Sequence, residues 1–185
     1  MIFVYVLIYM DFIQELLFFT QNSVQISAAS PCHSGEVCTK ARFMVLVTPE
    51  KIASVMALFP IPHSFAELDD LVAHGLPKDA LKASVDRVCL TSDDRKKLLY
   101  RIIPEATYKR RRSSLTSDES ERAERLARIF ATTQFVWNSE DDARLFLNTP
   151  HPMLAGRTPL DVSMTELGAR RVEELLWKLF YGLSA

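Results

Sequence analysis

The chain has 185 residues, 48% of them hydrophobic, with 22 lysines and arginines against 23 aspartates and glutamates. That length allows one or two small domains with a real core, and the net charge of −1 excludes a polycationic protein. Three scattered cysteines, Cys32, Cys38 and Cys89, exclude a disulfide framework and fit a reducing compartment, expected to be the cytoplasm.

Residues 1–43 stand apart. "MIFVYVLIYMDFIQELLFFTQNSVQISAAS" is apolar, yet Asp11 and Glu15 interrupt it before any run reaches the roughly 18 residues that a membrane helix needs. A secretory signal carries Lys or Arg ahead of its apolar stretch, and here the first basic residue is Lys40. Met44 opens "MVLVTPEKIASVMALF", which reads as the beginning of a soluble domain. The expectation is a poorly structured or artefactual extension over residues 1–43.

From Thr48 onward the signals are helical, and no period-two alternation is long enough to build a sheet. An all-α fold is expected. Thr48 and Pro49 are N-cap and first residue of an opening helix. Ser64 caps the next, with Glu67 at the capping-box position and Gly75 as its stop. In "LPKDALKASVDRVC", Leu81, Val85 and Val88 share one face.

Thr91 then caps a helix running to about Tyr100, and Pro104 opens a second after a short apolar turn. Eight basic residues between Arg95 and Arg112 face one acid, Glu105. Such a run is commonly a solvated face. A helix, a tight turn and a second, basic helix is also the arrangement that lays a helix in the major groove. Thr107, Lys109, Arg110, Arg111 and Arg112 are the candidate DNA contacts, since Thr reaches base edges or phosphates while Arg and Lys neutralise phosphates. Ile102 stands where such turns often carry glycine.

A polar hinge, "SSLTSDE", leads to a capping-box pair, Thr116 and Glu119, ahead of the stripe Ala123, Leu126, Ala127, Phe130 and Trp137. Ser139 caps "EDDARLFLN". The loop "NTPHPMLAGRTPLDV" follows: Pro150 and Pro152 bar a helix, Gly156 permits a sharp turn, and Thr158 with Pro159 restarts a short helix. Thr165 caps the last helix, expected to run to about Tyr181 with Gly182 as its stop and Val172, Leu175, Leu176, Leu179 and Leu183 on its apolar face.

Enzymatic motifs are missing. There is no glycine-rich phosphate loop or nucleophile elbow, and "CHSGEVC" lacks a standard zinc spacing. The acidic pairs at helix starts read as caps. No catalytic residue, metal or cofactor is expected.

The last forty residues carry a resemblance. An N-T-P segment, then G-x-T-P-L-D, G-A-x-x-V-E-x-L-L and an aromatic before a final glycine make "NTPHPMLAGRTPLDVSMTELGARRVEELLWKLFYGL" similar to the C-terminal toxin-binding domain of the Xre/MbcA/ParS antitoxins. "LTSDESERAERLARI" resembles the first helix of that domain, and "LPKDALKASVDRVCLTSDDRKKLLYRIIPEATYKRRRSS" the family's helix-turn-helix part. The resemblance covers about residues 45 to 185. It implies a helix-turn-helix DNA-binding and dimerisation domain over 44–114 and a toxin-binding domain over 115–185. The implied partners are operator DNA, a second copy and a RES-domain toxin that consumes NAD or transfers ADP-ribose from it. The toxin's NAD pocket would be covered by the antitoxin's C-terminal domain and tail. Toxin contacts then fall to His151, Arg157, Arg170, Arg171, Trp177, Phe180, Tyr181 and Gly182. The competing reading is a stand-alone helix-turn-helix regulator whose C-terminal domain only dimerises.

Overall fold

Polar caps and apolar stripes set out nine α-helices and one 3-10 turn among the described residues. The computed structural model describes residues 47–111 and 113–182, so the expected extension over 1–43, Cys32, Cys38, Arg112 and Leu183 lie outside them. The helices are α1 (Pro49–Val55), α2 (Phe65–His74), α3 (Lys78–Val88), α4 (Ser92–Ile102), α5 (Glu105–Arg110), α6 (Ser117–Trp137), α7 (Glu140–Asn148), α8 (Pro159–Val162) and α9 (Glu166–Phe180). The 3-10 turn, Pro152–Leu154, lies between α7 and α8. Among the described residues the only β pairings are two isolated bridges, Pro77 with Ser114 and His151 with Arg157.

The caps follow local chemistry. The side-chain oxygens of Ser64, Thr91, Thr116, Ser139, Thr158 and Thr165 each accept the N–H three residues on. Each satisfies a donor that the helix leaves unpaired, which stabilises it by about 1 kcal/mol. Thr116 and Glu119 complete a reciprocal capping box. At α2 the Glu67 carboxylate instead accepts the N–H of His63, one residue before the cap, at 2.8 Å.

The spine is α6. Ala123, Leu126, Ala127, Ile129, Phe130 and Ala131 are buried along it, and it packs against α1, α2, α3 and α4 as well as α7 and α9. Phe130 is the largest fully buried side chain, surrounded by a core that includes Ile52, Leu81, Ile103, Leu147, Val172 and Leu176. Buried hydroxyls within this helix are satisfied locally: Thr132 and Thr133 donate to the carbonyls of Arg128 and Ile129. Ser120 accepts the N–H of Leu76 and donates to the carbonyl of Thr116. It thereby ties the α2–α3 linker to the start of the spine.

That linker also pairs with the segment before α6. Leu115 N–H donates to the Leu76 carbonyl and Lys78 N–H to that of Ser113, both at 2.9 Å. Gly75 ends α2 at φ +100°, and a Cβ there would collide with the Leu115 carbonyl. The polar hinge expected near residues 113–116 is therefore anchored on both sides, and α6 is held by the helices before it and the helices after it.

Candidate toxin-binding and DNA-binding surfaces

Residues 148–162 form a hydrogen-bonded corner. The His151 N–H donates to the Arg157 carbonyl, and the His151 carbonyl accepts from Leu154 and Gly156. His151 Nδ1 accepts the N–H of Met153 at 3.2 Å, so the ring caps the 3-10 turn. Burial pushes the His151 imidazole below the usual histidine range. An accepting Nδ1 and a depressed pKa agree: at neutral pH this ring is uncharged and works inside the corner. The sequence placed a bar to helix at Pro150 and Pro152, but Pro152 opens the 3-10 turn, where its missing N–H is no loss. The positive φ is likewise shared, with Ala155 at +56° and Gly156 at +74°.

The corner orients α8 and α9. Gly168, in the first turn of α9, lies against α8: a Cβ there would be 2.8 Å from the Val162 carbonyl carbon and closer still to its oxygen. Only a residue without a side chain allows this approach. Asp161 on α8 accepts from Thr158 and pairs with Arg101 of α4 at 2.5 Å. The Arg101 guanidinium and the Thr158 hydroxyl hold the Asp161 carboxyl below its usual range. From α6, Arg125 donates to the Met164 carbonyl and pairs with Glu166 at 2.9 Å. Arg128 pairs with Glu124, Glu166 and Glu173. Burial raises the Glu124 and Glu173 carboxyls despite Arg128 beside them, while these acids hold the Arg128 guanidinium in its charged form.

Near its C-terminal end α9 presents an aromatic cluster. Trp177 stacks on Tyr181 with ring centroids 5.1 Å apart, Tyr181 meets Phe180 edge-on at 5.0 Å, and Phe180 touches Phe135 of α6 at 5.3 Å. Lys51 lies over the far ring of that series, Phe135, at 4.8 Å. Phe180 and Tyr181 are 41% and 46% exposed, so nearly half of two large rings faces solvent. The helix stops at Phe180, one residue before the expected end, and Gly182 turns at φ +62°. Of the other toxin-contact candidates, Arg157 is exposed with a long hydrogen bond to the Asp161 carbonyl. Arg170 is exposed beside Glu166, and Arg171 is exposed on α9. Trp177, Phe180, Tyr181 and Gly182 come together at one end of α9, whereas His151 and Arg157 sit in the corner and Arg170 and Arg171 near the start of the helix.

The basic block is split between α4 and α5. Helix α5 has six residues, none buried. Lys109 pairs with Glu105 at 2.6 Å, and Arg111 with Glu119 at 3.1 Å. Burial pushes the Glu119 carboxyl up, but the Thr116 N–H and the Arg111 guanidinium more than offset it and hold the carboxyl low. Arg110 is exposed and Thr107 half-buried, while Tyr108 packs on the core under Lys78. Ile102 and Ile103 fill the α4–α5 turn as buried residues. A second helix pair precedes it: α3 and α4 have 11 residues each, joined by Cys89, Leu90 and Thr91. Leu98 and Ile102 bury one side of α4 and leave Arg95, Lys96 and Lys97 exposed. The Thr91 cap, three residues past Val88, marks this pair in the chain.

Among the described residues no group of three His, Cys, Asp or Glu is placed to hold a metal ion, and no helix is long and apolar enough to cross a membrane.

Two family models match the chain. The antitoxin Xre-like helix-turn-helix domain matches residues 67–128, and the antitoxin Xre/MbcA/ParS C-terminal toxin-binding domain matches residues 132–182. The first match ends and the second begins within α6. A curated protein, "Antitoxin Xre" of Pseudomonas putida, is 32% identical over 135 residues, covering 70% of this chain and 82% of the relative.

Proposed function

The chain belongs to the Xre-type antitoxins, which join a helix-turn-helix domain to a toxin-binding domain, and from that premise we propose that it neutralises a RES-domain toxin by covering the toxin's NAD-binding active site and represses its own operon through DNA. It acts by binding, with no catalysis or cofactor of its own, as a homodimer within a larger toxin–antitoxin complex. Residues 44–114 serve DNA binding and dimerisation, and residues 115–185 serve the toxin.

The observation that carries the toxin reading is the half-exposed cluster of Trp177, Phe180 and Tyr181 at the end of α9. Large aromatic rings held rigid by stacking lose little entropy on binding and dominate interface energetics. The corner and Gly168 fix the direction of α9, so the cluster is presented in one orientation. The chain after it enters the toxin's pocket. Removing the residues after Lys178 abolishes rescue of cells expressing a RES-domain toxin that the intact chain neutralises. Full rescue by the truncated protein would refute occlusion by the tail.

For DNA, α4 lies toward the bases and α5 toward the backbone. A six-residue helix with no buried side chain is a poor reading element, whereas α4 is locked by Leu98 and Ile102 and offers Arg95, Lys96 and Lys97. Lys109, Arg110, Arg111 and Arg112 then neutralise phosphates, and the Thr107 hydroxyl hydrogen-bonds to one. Replacing Arg110 with Ala weakens binding to the promoter fragment and lowers the steepness of its salt dependence by about one phosphate contact. An unchanged salt slope moves the contact elsewhere.

A further inference from the structure

A trough of about 620 Å3 runs between α2 and the first half of α6, away from the aromatic cluster and from the basic block. Phe65, Ala66, Leu68, Asp69, Val72 and Ala73 line it from α2, which is one face of that helix at i, i+3 and i+4 spacing. From α6 come Ser117, Glu121, Glu124 and Arg128, again one helical stripe. Leu68 and Val72 are buried and make the floor, while Phe65 is 45% exposed and walls one end. The small side chains of Ala66 and Ala73 leave the space open.

The rims are acidic on both sides. Among the described residues neither Asp69 nor Glu121 has an ion-pair partner, and both are exposed. The one cation in the trough, Arg128, is committed to Glu124, Glu166 and Glu173. Exposed Asp70 adds a further acid to α2. An apolar floor between two helices with unneutralised carboxylates on both rims fits one ligand shape: an amphipathic helix whose apolar stripe fills the trough while its flanking Lys and Arg meet Asp69 and Glu121.

We propose that the α2–α6 trough is a second docking surface, for a basic amphipathic helix of a partner protein, independent of both the α9 end and the DNA face. A second copy of this chain does not suit it, because two such troughs facing each other bring acid against acid.

The test uses the full chain and two labelled synthetic helical peptides with the same leucine stripe, one flanked by lysine and arginine and the other by glutamate, followed by fluorescence anisotropy. The basic peptide binds at least about tenfold more tightly than the acidic one, and added salt weakens it. Asp69→Lys with Glu121→Lys lowers its affinity by about tenfold, and Ala73→Trp, which fills the trough from an exposed position, abolishes binding. Thermal melting and sedimentation of each variant verify that fold and oligomeric state are kept. Equal binding of the two peptides, or binding that Ala73→Trp leaves intact, overturns the proposal. So does a change of oligomeric state in Ala73→Trp, which would assign the trough to a second copy.

Discussion

Replacing Gly168 with alanine should destabilise the protein, against the local preference of the chain. Within a helix the substitution gains about 1 kcal/mol from propensity alone. Here the new methyl would be 2.8 Å from the Val162 carbonyl carbon and nearer its oxygen. Both are backbone atoms that cannot rotate away, so α8 and α9 must separate. Overpacking of this kind costs about 1–3 kcal/mol and more where backbone must move. The displaced junction also strains Arg101–Asp161 and the Arg125 hydrogen bond to Met164. The net expectation is a loss of about 2 kcal/mol, or a fall in Tm of about 4–8 °C for a chain of this size. Urea and thermal unfolding monitored by circular dichroism measure it. Gly156→Ala is the control, since a Cβ there meets nothing within 4 Å and only the positive φ is strained. A Gly168→Ala protein as stable as its parent, or more so, would refute the close approach and with it the account of how α9 is aimed.

Arg128 and Glu173 should respond unequally to neutralisation. Arg128→Gln leaves Glu124, Glu166 and Glu173 without their shared cation and costs about 2 kcal/mol at neutral pH, whereas Glu173→Gln costs under about 1 kcal/mol, because burial already favours the neutral carboxyl. The Arg128→Gln deficit shrinks on acidification as the Glu124 and Glu173 carboxyls, raised by burial, take up protons; equal deficits, or one that grows at low pH, contradict the network. His151 supplies a separate pH test. Its folded-state pKa is lowered, so the unfolded chain binds the proton first, and the stability it contributes is complete above about pH 6.5 and is lost as pH falls below it. His151→Asn keeps a capping side chain but should unfold with a flatter dependence on pH between 7.5 and 5.5, and parallel curves would exclude the buried neutral ring.

Much of the fold was legible because its signals are local. Ser64, Thr91, Thr116, Ser139, Thr158 and Thr165 each precede a helix, and the stripes through Leu81, Val85 and Val88 or Val172, Leu175 and Leu176 turned inward as their spacing required. What escaped the sequence depends on residues far apart in the chain. Gly168 reads as a weak helix residue until Val162 is seen against it, and Arg101 reads as part of a basic run until Asp161 is placed beside it. His151 reads as a loop histidine until the corner is seen, where three backbone hydrogen bonds and one ring bond hold it. For the DNA face, the basic run points to Thr107, Lys109, Arg110, Arg111 and Arg112, whereas the lengths and burial of α3, α4 and α5 depend on packing that the run does not encode.

The central claim is that the end of α9 silences an NAD-using toxin. Its most direct test is NAD consumption by a purified RES-domain toxin, the proposed partner, measured with a stoichiometric amount of the intact chain and of a variant carrying Trp177→Ala and Tyr181→Ala. The account predicts that the intact chain stops NAD loss, and that the variant needs at least about thirtyfold more protein to do so, the loss expected when about 2 kcal/mol of aromatic anchoring is removed. Inhibition by the variant equal to that by the intact chain, with both proteins equally folded, would contradict it.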